Sequence, residues 1–360
     1  MATILLPINA LKPGMTVAES VCSDNQVILQ ENTVLTSNII RRLAAWHVRS
    51  VRVNQELSYE NGAKSIANLS AEFVKENPAF FEQYGKAITT AGKLFQHMRE
   101  RQVVPFQELR QLATVNLYNL LRTKGILGNL YRLKSYTDYT FMHAVDVGLL
   151  SGLLAMWNGL PEEEIKSLIL CGVMHDIGKS QIPLSILDKP GKLNAEERKT
   201  IVLHPEYGYY MTKSIPGITP DVQYAVWHHH ERESGEGYPG QLRGDRIHPY
   251  AKIVALADTY DALTTDKAYQ KSVTPFQALE TLQDLMFIHL ERELCQTFIR
   301  NVIYSLMGST VLLSDGAQAE VLQLAHYMSC KPVVATNSGL IADLHLSNKT
   351  SIVEVLKFRQ

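Results

Sequence analysis

The sequence predicts a mainly α-helical protein, in which an all-helical domain over residues 133–307 is flanked by small β-rich modules at both ends. Within this range apolar residues recur at helical spacing, as in Phe141, Val145 and Leu149, and such residues lie on one face of a helix. Toward both ends the apolar residues alternate in short runs between turn residues, which is typical of strands. Together the two patterns indicate the fold class.

The first two stretches of the chain differ in pattern. Residues 1–62 combine strand-like runs with one helix around Ile39, which predicts a small β-rich module. Residues 63–132 are helical with a break at Pro105, and no combination of their side chains suggests chemistry. We interpret this second stretch as a helical connector.

The last stretch, residues 308–360, returns to a strand pattern. Its run VLLSDGAQAEV places Asp315 and Gly316 between two apolar segments, and an Asp-Gly pair is typical of a tight hairpin turn. The chain therefore is expected to end in a second small β element.

Composition indicates a globular protein without a field that attracts polyanions. The chain has 360 residues, of which 46% are hydrophobic, and a formal net charge of −1. It therefore has no overall basic field to draw in nucleic acid or an anionic membrane. The four cysteines lie far apart without CxxC spacing, which argues against a disulfide scaffold and favours the cytoplasm. The apolar stretch 147–157 is too short to span a bilayer.

The strongest functional signal is a concentration of histidines in the helical domain around the pair His175-Asp176. Six of the twelve histidines fall between His143 and His230. The apolar run SLILCGVM precedes the pair, so the pair is expected to end a buried helix, with Gly178 terminating it. A buried imidazole and carboxylate without partners are costly, and divalent metal ions would satisfy both.

The residue types predict which atoms would hold such ions. Asp176 could bridge two ions, and Asp258 could add a second carboxylate from a later helix. The neutral nitrogen ligands could be His143, His175, His204, His229 and His230. Two divalent ions and two carboxylates would leave a charge of about +2, so the site is expected to bind anions. Lys179, one helical turn past His175, is then predicted to contact a phosphate.

The motifs HDIGK, HPEYG, HHERESGEGYPGQLRG and KIVALADTYDALTTDKAY resemble, in order and spacing, those of the HD-GYP family. This is a bacterial branch of the HD superfamily of metal-dependent phosphohydrolases. The resemblance spans roughly residues 139–305 and implies a helical HD-type domain with two or three metal ions, usually iron or manganese. It further implies hydrolysis of cyclic di-GMP to the linear dinucleotide pGpG, sometimes onward to GMP.

The resemblance assigns roles residue by residue. The family's metal ligands correspond to His143, His175, Asp176, His204, His229, His230 and Asp258. The residues we expect to act in catalysis are His175, Asp176 and Lys179. Those we expect to contact substrate are Lys179, Lys267, Gly237, Tyr238 and Pro239. The last three match the GYP loop, which is linked in the family to contacts with diguanylate cyclase domains. His228 precedes the matching histidine pair and receives no role.

Three departures from the family pattern qualify these roles. Tyr139 stands four residues before His143, where members with three metals carry a glutamate ligand, so we expect two ions. Ser234 replaces the aspartate of the GYP motif, and Lys267 and Gln270 stand where the family has a basic pair. We therefore expect one contact with the substrate phosphate to be weaker than in the family.

Two alternatives from other functional classes stay open. The domain could bind cyclic di-GMP or a cyclase partner with little or no turnover, because of the changes at Ser234 and Gln270. It could also hydrolyse another nucleotide, such as a hybrid cyclic dinucleotide or a deoxynucleoside triphosphate. The N-terminal module could mediate a homodimer.

Overall fold

A computed structural model of the chain describes residues 3–11, 15–23, 26–31, 33, 35, 37–45, 48–54, 77–101, 103–133, 139–187, 189, 191–265, 272–324, 330–347 and 350–359. Across these residues the protein is mainly helical, with antiparallel sheets toward both termini. The predicted fold class is therefore confirmed. In the same ranges no helix is both long and apolar enough to cross a membrane.

The N-terminal module contains two strand pairs and one helix. Strand β1 (Thr3–Pro7) pairs antiparallel with β4 (Ser50–Asn54), and β2 (Val21–Ser23) pairs with β3 (Gln26–Leu29). Helix α1 (Ser37–Ala45) lies between β3 and β4 in the chain. The module has a small core of its own, made by the buried residues Leu11, Val17, Leu35, Leu43, Val51 and Val53.

The stretch interpreted as a connector is packed into the main helical core. Its helices are α2 (Pro78–Arg101), α3 (Phe106–Gln111), which continues through a π-helical segment (Leu112–Leu117) into α4 (Tyr118–Leu121), and α5 (Ile126–Leu133). The predicted break at Pro105 separates α2 from α3. Residues Phe80, Tyr84 and Leu109 are buried in the same apolar cluster as the helices that follow. This stretch therefore contributes to the fold that surrounds the candidate site.

The helices that follow form the part of the protein that contains the candidate site residues. They are α6 (Tyr139–Trp157), α7 (Glu162–Met174), α8 (Leu184–Leu187), α9 (Ala195–Ile201), α10 (His204–Lys213), α11 (Pro220–His228), α12 (Pro249–Thr264), α13 (Pro275–Leu285) and α14 (Arg292–Leu306). A 3-10 helical segment (Ile177–Gln181), here called the Lys179 turn, follows α7. Pro220, Pro249 and Pro275 open their helices, where the missing N–H of proline leaves no bond unmade.

Helices α6 and α7 cross at two glycines. A Cβ built on Gly172 would lie 2.6 Å from the Cα of Gly148. Since real Cβ contacts are longer, only glycine permits this approach of two backbones. The crossing brings His143 of α6 next to His175, which directly follows α7, with ring centroids 5.1 Å apart.

The C-terminal strands form one antiparallel sheet. The strands β5 (Thr310–Leu313), β6 (Gln318–Leu324), β7 (Pro332–Thr336), β8 (Ile341–Asp343) and β9 (Ile352–Lys357) lie in the order β8-β7-β6-β5-β9. The predicted hairpin joins β5 to β6, and Gly316 in its turn has a φ of 86°. Phe358 packs against the ring of Tyr131 on α5, with centroids 5.4 Å apart, which attaches the sheet to the helices.

Candidate metal centre

All seven side chains predicted as metal ligands meet at one place inside the helical domain. Their nitrogen and oxygen atoms fall into two groups whose members lie within 4.8 Å of one another. The first, the Asp176 group, consists of Asp176, His204, His229 and His230. The second, the Asp258 group, consists of His143, His175 and Asp258. The ligands thus come from three helices, α6, α10 and α12, and from the residues that directly follow α7 and α11.

The carboxylate of Asp176, a member of the first group, also lies close to the histidines of the second group. Its Oδ1 is 3.1 Å from Nε2 of His204 and 3.8 Å from Nε2 of His229. Its Oδ2 is 3.2 Å from Nε2 of His175 and 3.6 Å from Nε2 of His143. One oxygen therefore faces the histidines of each group, so Asp176 would help to hold a cation at either group.

Three of the five imidazoles are oriented by the backbone. In His175, His204 and His229, Nδ1 lies 2.7, 2.7 and 2.8 Å from the carbonyl oxygen three residues earlier in the chain. A carbonyl oxygen only accepts hydrogen bonds, so Nδ1 must carry the proton and donate it. In the neutral form of each imidazole, Nε2 then carries the lone pair, as in histidines that bind metals.

Two buried atoms at the centre lack hydrogen-bond partners, namely Nε2 of His175 and Oδ1 of Asp176. The 3.1 Å contact between Oδ1 and His204 does not supply one. A buried polar atom without a partner costs about 1–3 kcal/mol. Since both atoms are ordinary ligands of divalent metals, the residues present fit bound ions.

Burial and neighbouring charges give His229, His230 and Asp176 the protonation states that metal binding needs. Burial lowers the pKa of His229 to about 4 and holds the pKa of His230 well below its usual range. Burial alone would raise the pKa of Asp176, but its interactions with His175 and with the ammonium of Lys179 hold it well below its usual value. At pH 7 the imidazoles of His229 and His230 are thus neutral, and the carboxylate of Asp176 is ionised.

His143 differs from the other histidines because two carboxylates surround it. Burial lowers its pKa, but the hydrogen bonds and charges of Asp258 and Asp261 outweigh burial and raise the pKa to about 9. Metal ligands must be deprotonated, so a cation that binds His143 at neutral pH displaces a proton.

Asp261 is a fully buried site residue that sequence reasoning missed. Its Oδ2 lies 2.7 Å from Nδ1 of His143, a residue 118 positions earlier. A carboxylate in this position orients the imidazole and increases the basicity of its Nε2. Its position three residues after Asp258 was the available signal, because residues at that spacing share a helix face.

We expect Asp261→Asn to lower the metal affinity of the Asp258 group by about 10–100-fold, and the turnover of the protein with it. The neutral amide still fits the space but no longer raises the basicity of the His143 imidazole. Competition titration with a chelator measures the affinity. The matched control is Asp284→Asn, because Asp284 is an exposed carboxylate on α13, and it should bind metal like the wild type. Equal affinity in both variants would contradict the role assigned to Asp261.

Lys179 lies beside the bridging carboxylate. Its ammonium contacts Asp176, and 38% of its side chain is exposed. The nearby carboxylate outweighs burial and raises the pKa of Lys179, so the group stays charged. A partly exposed cation next to the centre is suitably placed for a phosphate oxygen.

Gly178 has a different role from the predicted helix terminator. Helix α7 already ends at Met174, and Gly178 lies within the Lys179 turn. A Cβ built there would be 1.9 Å from the carbonyl oxygen of His204 and 2.5 Å from the backbone nitrogen of Gly208. Glycine is required because the Lys179 turn rests directly on α10.

The GYP residues belong to a loop, here called the Tyr238 loop (residues 231–242), whose Tyr238 ring lies beside His204 and His230 of the Asp176 group. Gly237 allows close packing, since a Cβ would be 2.5 Å from the backbone of residues 230–232. The Tyr238 ring stacks on His230 with centroids 4.7 Å apart, and Pro239 follows in a cis peptide bond. Buried Glu231, also missed from the sequence, accepts hydrogen bonds from two backbone N–H groups of the loop at 2.6 and 2.8 Å.

Other predicted positions lie apart from the centre or outside the described residues. Ser234 Oγ is 3.3 Å from Glu236 Oε2 and 3.4 Å from His289 Nδ1. His228 belongs to neither ligand group. Lys267 and Gln270 fall in the undescribed segment 266–271, and the side chain of Tyr139 is likewise outside the description.

Comparison with known proteins identifies the domain. Residues 132–293 match a family model described as an HD domain. A cyclic di-GMP phosphodiesterase of Pseudomonas aeruginosa is 32% identical over 238 residues, which cover 66% of this chain and 57% of the relative. A 3′3′-cGAMP-specific phosphodiesterase of Vibrio cholerae is 34% identical over 177 residues, which cover 49% of this chain and 40% of the relative.

A solved structure supports the same fold. Bd1817, an HD-GYP protein from Bdellovibrio bacteriovorus, superposes with a TM-score of 0.51 at 18% identity, over 84% of this chain and 99% of that chain. At that identity the likeness shows the fold alone. The chain spans about half the length of the curated relatives it matches. Residues 132–293 therefore form an HD domain.

Proposed function

We propose that the protein hydrolyses a phosphodiester bond of cyclic di-GMP and releases linear pGpG. The observation that carries this proposal is the Asp176 carboxylate, which directs one oxygen toward each of two ligand groups. Two cations held in this way, with Lys179 beside them, form a site for the anionic phosphate of a diester. The name of the Pseudomonas aeruginosa relative supports the choice of substrate.

The residues of the chain would act in distinct ways. Bound metal ions would supply Lewis acidity and activation of water for attack on phosphorus. The ammonium of Lys179 would stabilise negative charge on a non-bridging phosphate oxygen as that charge grows. The Tyr238 ring stacks on His230, which would restrict that imidazole and hold the Tyr238 loop next to the site. Gly237 and Pro239 would shape this loop where the substrate enters, and Lys267 is retained as a proposed second phosphate contact.

The proposed cofactors are two divalent ions, iron or manganese. The two ligand groups and the Asp176 carboxylate between them account for two ions. Nitrogen-rich sites with carboxylates suit first-row transition metals such as iron. We do not propose a third ion, because Tyr139 stands where family members with three metals carry a glutamate ligand.

Metal analysis of anaerobically purified protein, coupled to a cyclic di-GMP assay, tests the proposal. We expect about two equivalents of Fe or Mn per chain and metal-dependent release of pGpG. Removal of metal by a chelator should abolish the activity, and Fe(II) or Mn(II) should restore it, because the charge stabilisation depends on the ions. Protein that binds cyclic di-GMP but releases no pGpG with either metal would instead favour the receptor alternative.

A second cyclic dinucleotide is also a candidate substrate. The Vibrio cholerae relative is named as specific for 3′3′-cGAMP, and its identity to this chain is close to that of the Pseudomonas aeruginosa relative. The kcat/KM values for cyclic di-GMP and 3′3′-cGAMP, measured side by side, decide between the two. A higher value for 3′3′-cGAMP would change the proposed substrate and leave the reaction type unchanged.

Three further expectations concern the setting of the protein. Contact of residues 237–239 with a diguanylate cyclase domain stays a prediction, as do a homodimer and a cytoplasmic location. Cys171, Cys295 and Cys330 are buried free thiols, which is compatible with a reducing compartment.

A further inference from the structure

Helix α2 makes a specific polar contact with the turn that carries Lys179. Arg99, in the last turn of α2, donates from one guanidinium nitrogen to the carbonyl oxygen of Lys179 at 2.9 Å. Its other terminal nitrogen donates to the carbonyl oxygen of Ile182 at 3.0 Å. Lys179 and Ile182 follow Arg99 by 80 and 83 positions in the chain. One planar group thus connects α2 to the end of the Lys179 turn.

The position of Arg99 is determined by the packing of the whole helix. Met98, its neighbour, is fully buried, and Phe80 and Tyr84 near the other end of α2 are buried as well. The hydroxyl of Tyr84 donates a hydrogen bond to the carboxylate of Asp146 on α6. Because α2 is held in the core along its length, the Arg99 guanidinium is presented to the Lys179 turn from a rigid element.

We propose that Arg99 is a positioning residue that holds the main chain of Lys179 where its ammonium can reach both Asp176 and the substrate phosphate. The guanidinium is suited to this because its donors are fixed in one plane and can bind two carbonyls at once. The lysine side chain is flexible, so its reach depends on where its own backbone lies. The inference rests on the proposed function only for its catalytic consequence.

Hydrogen–deuterium exchange of the full-length protein tests the positioning directly, without turnover. In the Lys179 turn the amide of Lys179 bonds to the Asp176 carbonyl, and the amide of Ile182 bonds to the Lys179 carbonyl. We expect Arg99→Ala to accelerate exchange in residues 176–187 and to leave α7 unchanged. The matched control is Arg101→Ala, because Arg101 is exposed and lies in the same turn of α2. Unchanged exchange in residues 176–187, or acceleration spread over the helical domain, would overturn the proposal.

A double-mutant cycle tests whether Arg99 acts through Lys179. We expect Arg99→Ala to lower kcat by about 10–100-fold, the order expected when a catalytic group is misplaced by about 1 Å. In a Lys179→Ala background the same change should have almost no further effect, since residues that act together are not additive. Arg99→Lys should recover part of the loss because it restores one donor.

The outcomes separate this inference from the proposed function. Losses of kcat that multiply in the double variant would refute action through Lys179. If the wild type turns over neither cyclic di-GMP nor 3′3′-cGAMP with bound metal, the proposed function fails. In that case the exchange measurement still decides whether Arg99 holds the Lys179 turn.

Discussion

Asp176→Asn is expected to abolish hydrolysis of cyclic di-GMP and to reduce the metal bound per chain. Asp176 faces both ligand groups, with Oδ1 toward His204 and Oδ2 toward His175. An amide offers one neutral oxygen and no second anionic ligand, so it cannot bridge two cations. The loss of kcat/KM should exceed about a thousandfold, because most of the rate enhancement depends on the assembled centre. Steady-state kinetics and elemental analysis measure both effects.

The control for this substitution is Asp221→Asn. Asp221 is also a carboxylate beside a histidine, His248 at 3.2 Å, but 51% of its side chain is exposed and it belongs to neither ligand group. We expect wild-type metal content and activity in this variant. Full metal content together with full turnover in Asp176→Asn would exclude the bridging role and the reaction proposed from it.

Gly178→Ala is expected to damage both stability and the metal centre. The added methyl would overlap the carbonyl of His204 and crowd the backbone nitrogen of Gly208. Backbone atoms cannot rotate away, so α10 and the Lys179 turn must separate, and His204 moves with them. We expect a loss of at least about 1–3 kcal/mol in the free energy of unfolding and a strong loss of bound metal. Denaturant unfolding and metal analysis test the two consequences.

Gly152→Ala is the comparison for that experiment. A Cβ at Gly152 on α6 also meets close atoms, 2.6 Å from Cγ1 of Ile169, but these belong to a side chain. A side chain can change rotamer and relieve part of the overlap, so the destabilisation should be smaller and the metal content preserved. If Gly178→Ala matched the wild type in stability and metal content, the close contact with α10 would not be required.

The sequence was most informative where local pattern decides structure. The periodicity around Val145 predicted the helical domain, and Asp315-Gly316 predicted the hairpin that the structure contains. The resemblance to the HD-GYP family depended on short motifs such as HDIGK, whose residues are close in the chain. Such features can be predicted without knowing which distant segments of the chain come into contact.

Contacts between distant segments could not be predicted in this way. Asp261 reaches His143 across 118 residues, and Arg99 reaches Lys179 across 80. Single aspartates and arginines on helices are most often solvated, so their sequence context does not distinguish these two. The stretch containing Arg99 was interpreted as a connector without chemistry, because its polar contacts appear only when α2 packs on the Lys179 turn.

Local periodicity and short motifs are sufficient to predict the helical fold class, the candidate ligand types and their order along the chain. They could not predict that Asp176 faces histidines of both ligand groups, or that Asp261, Glu231 and Arg99 contact His143, the Tyr238 loop and the Lys179 turn. These contacts depend on distances between atoms in segments that are far apart in the chain. Those distances are set by the close packing of the core, including contacts at glycine that no local pattern specifies.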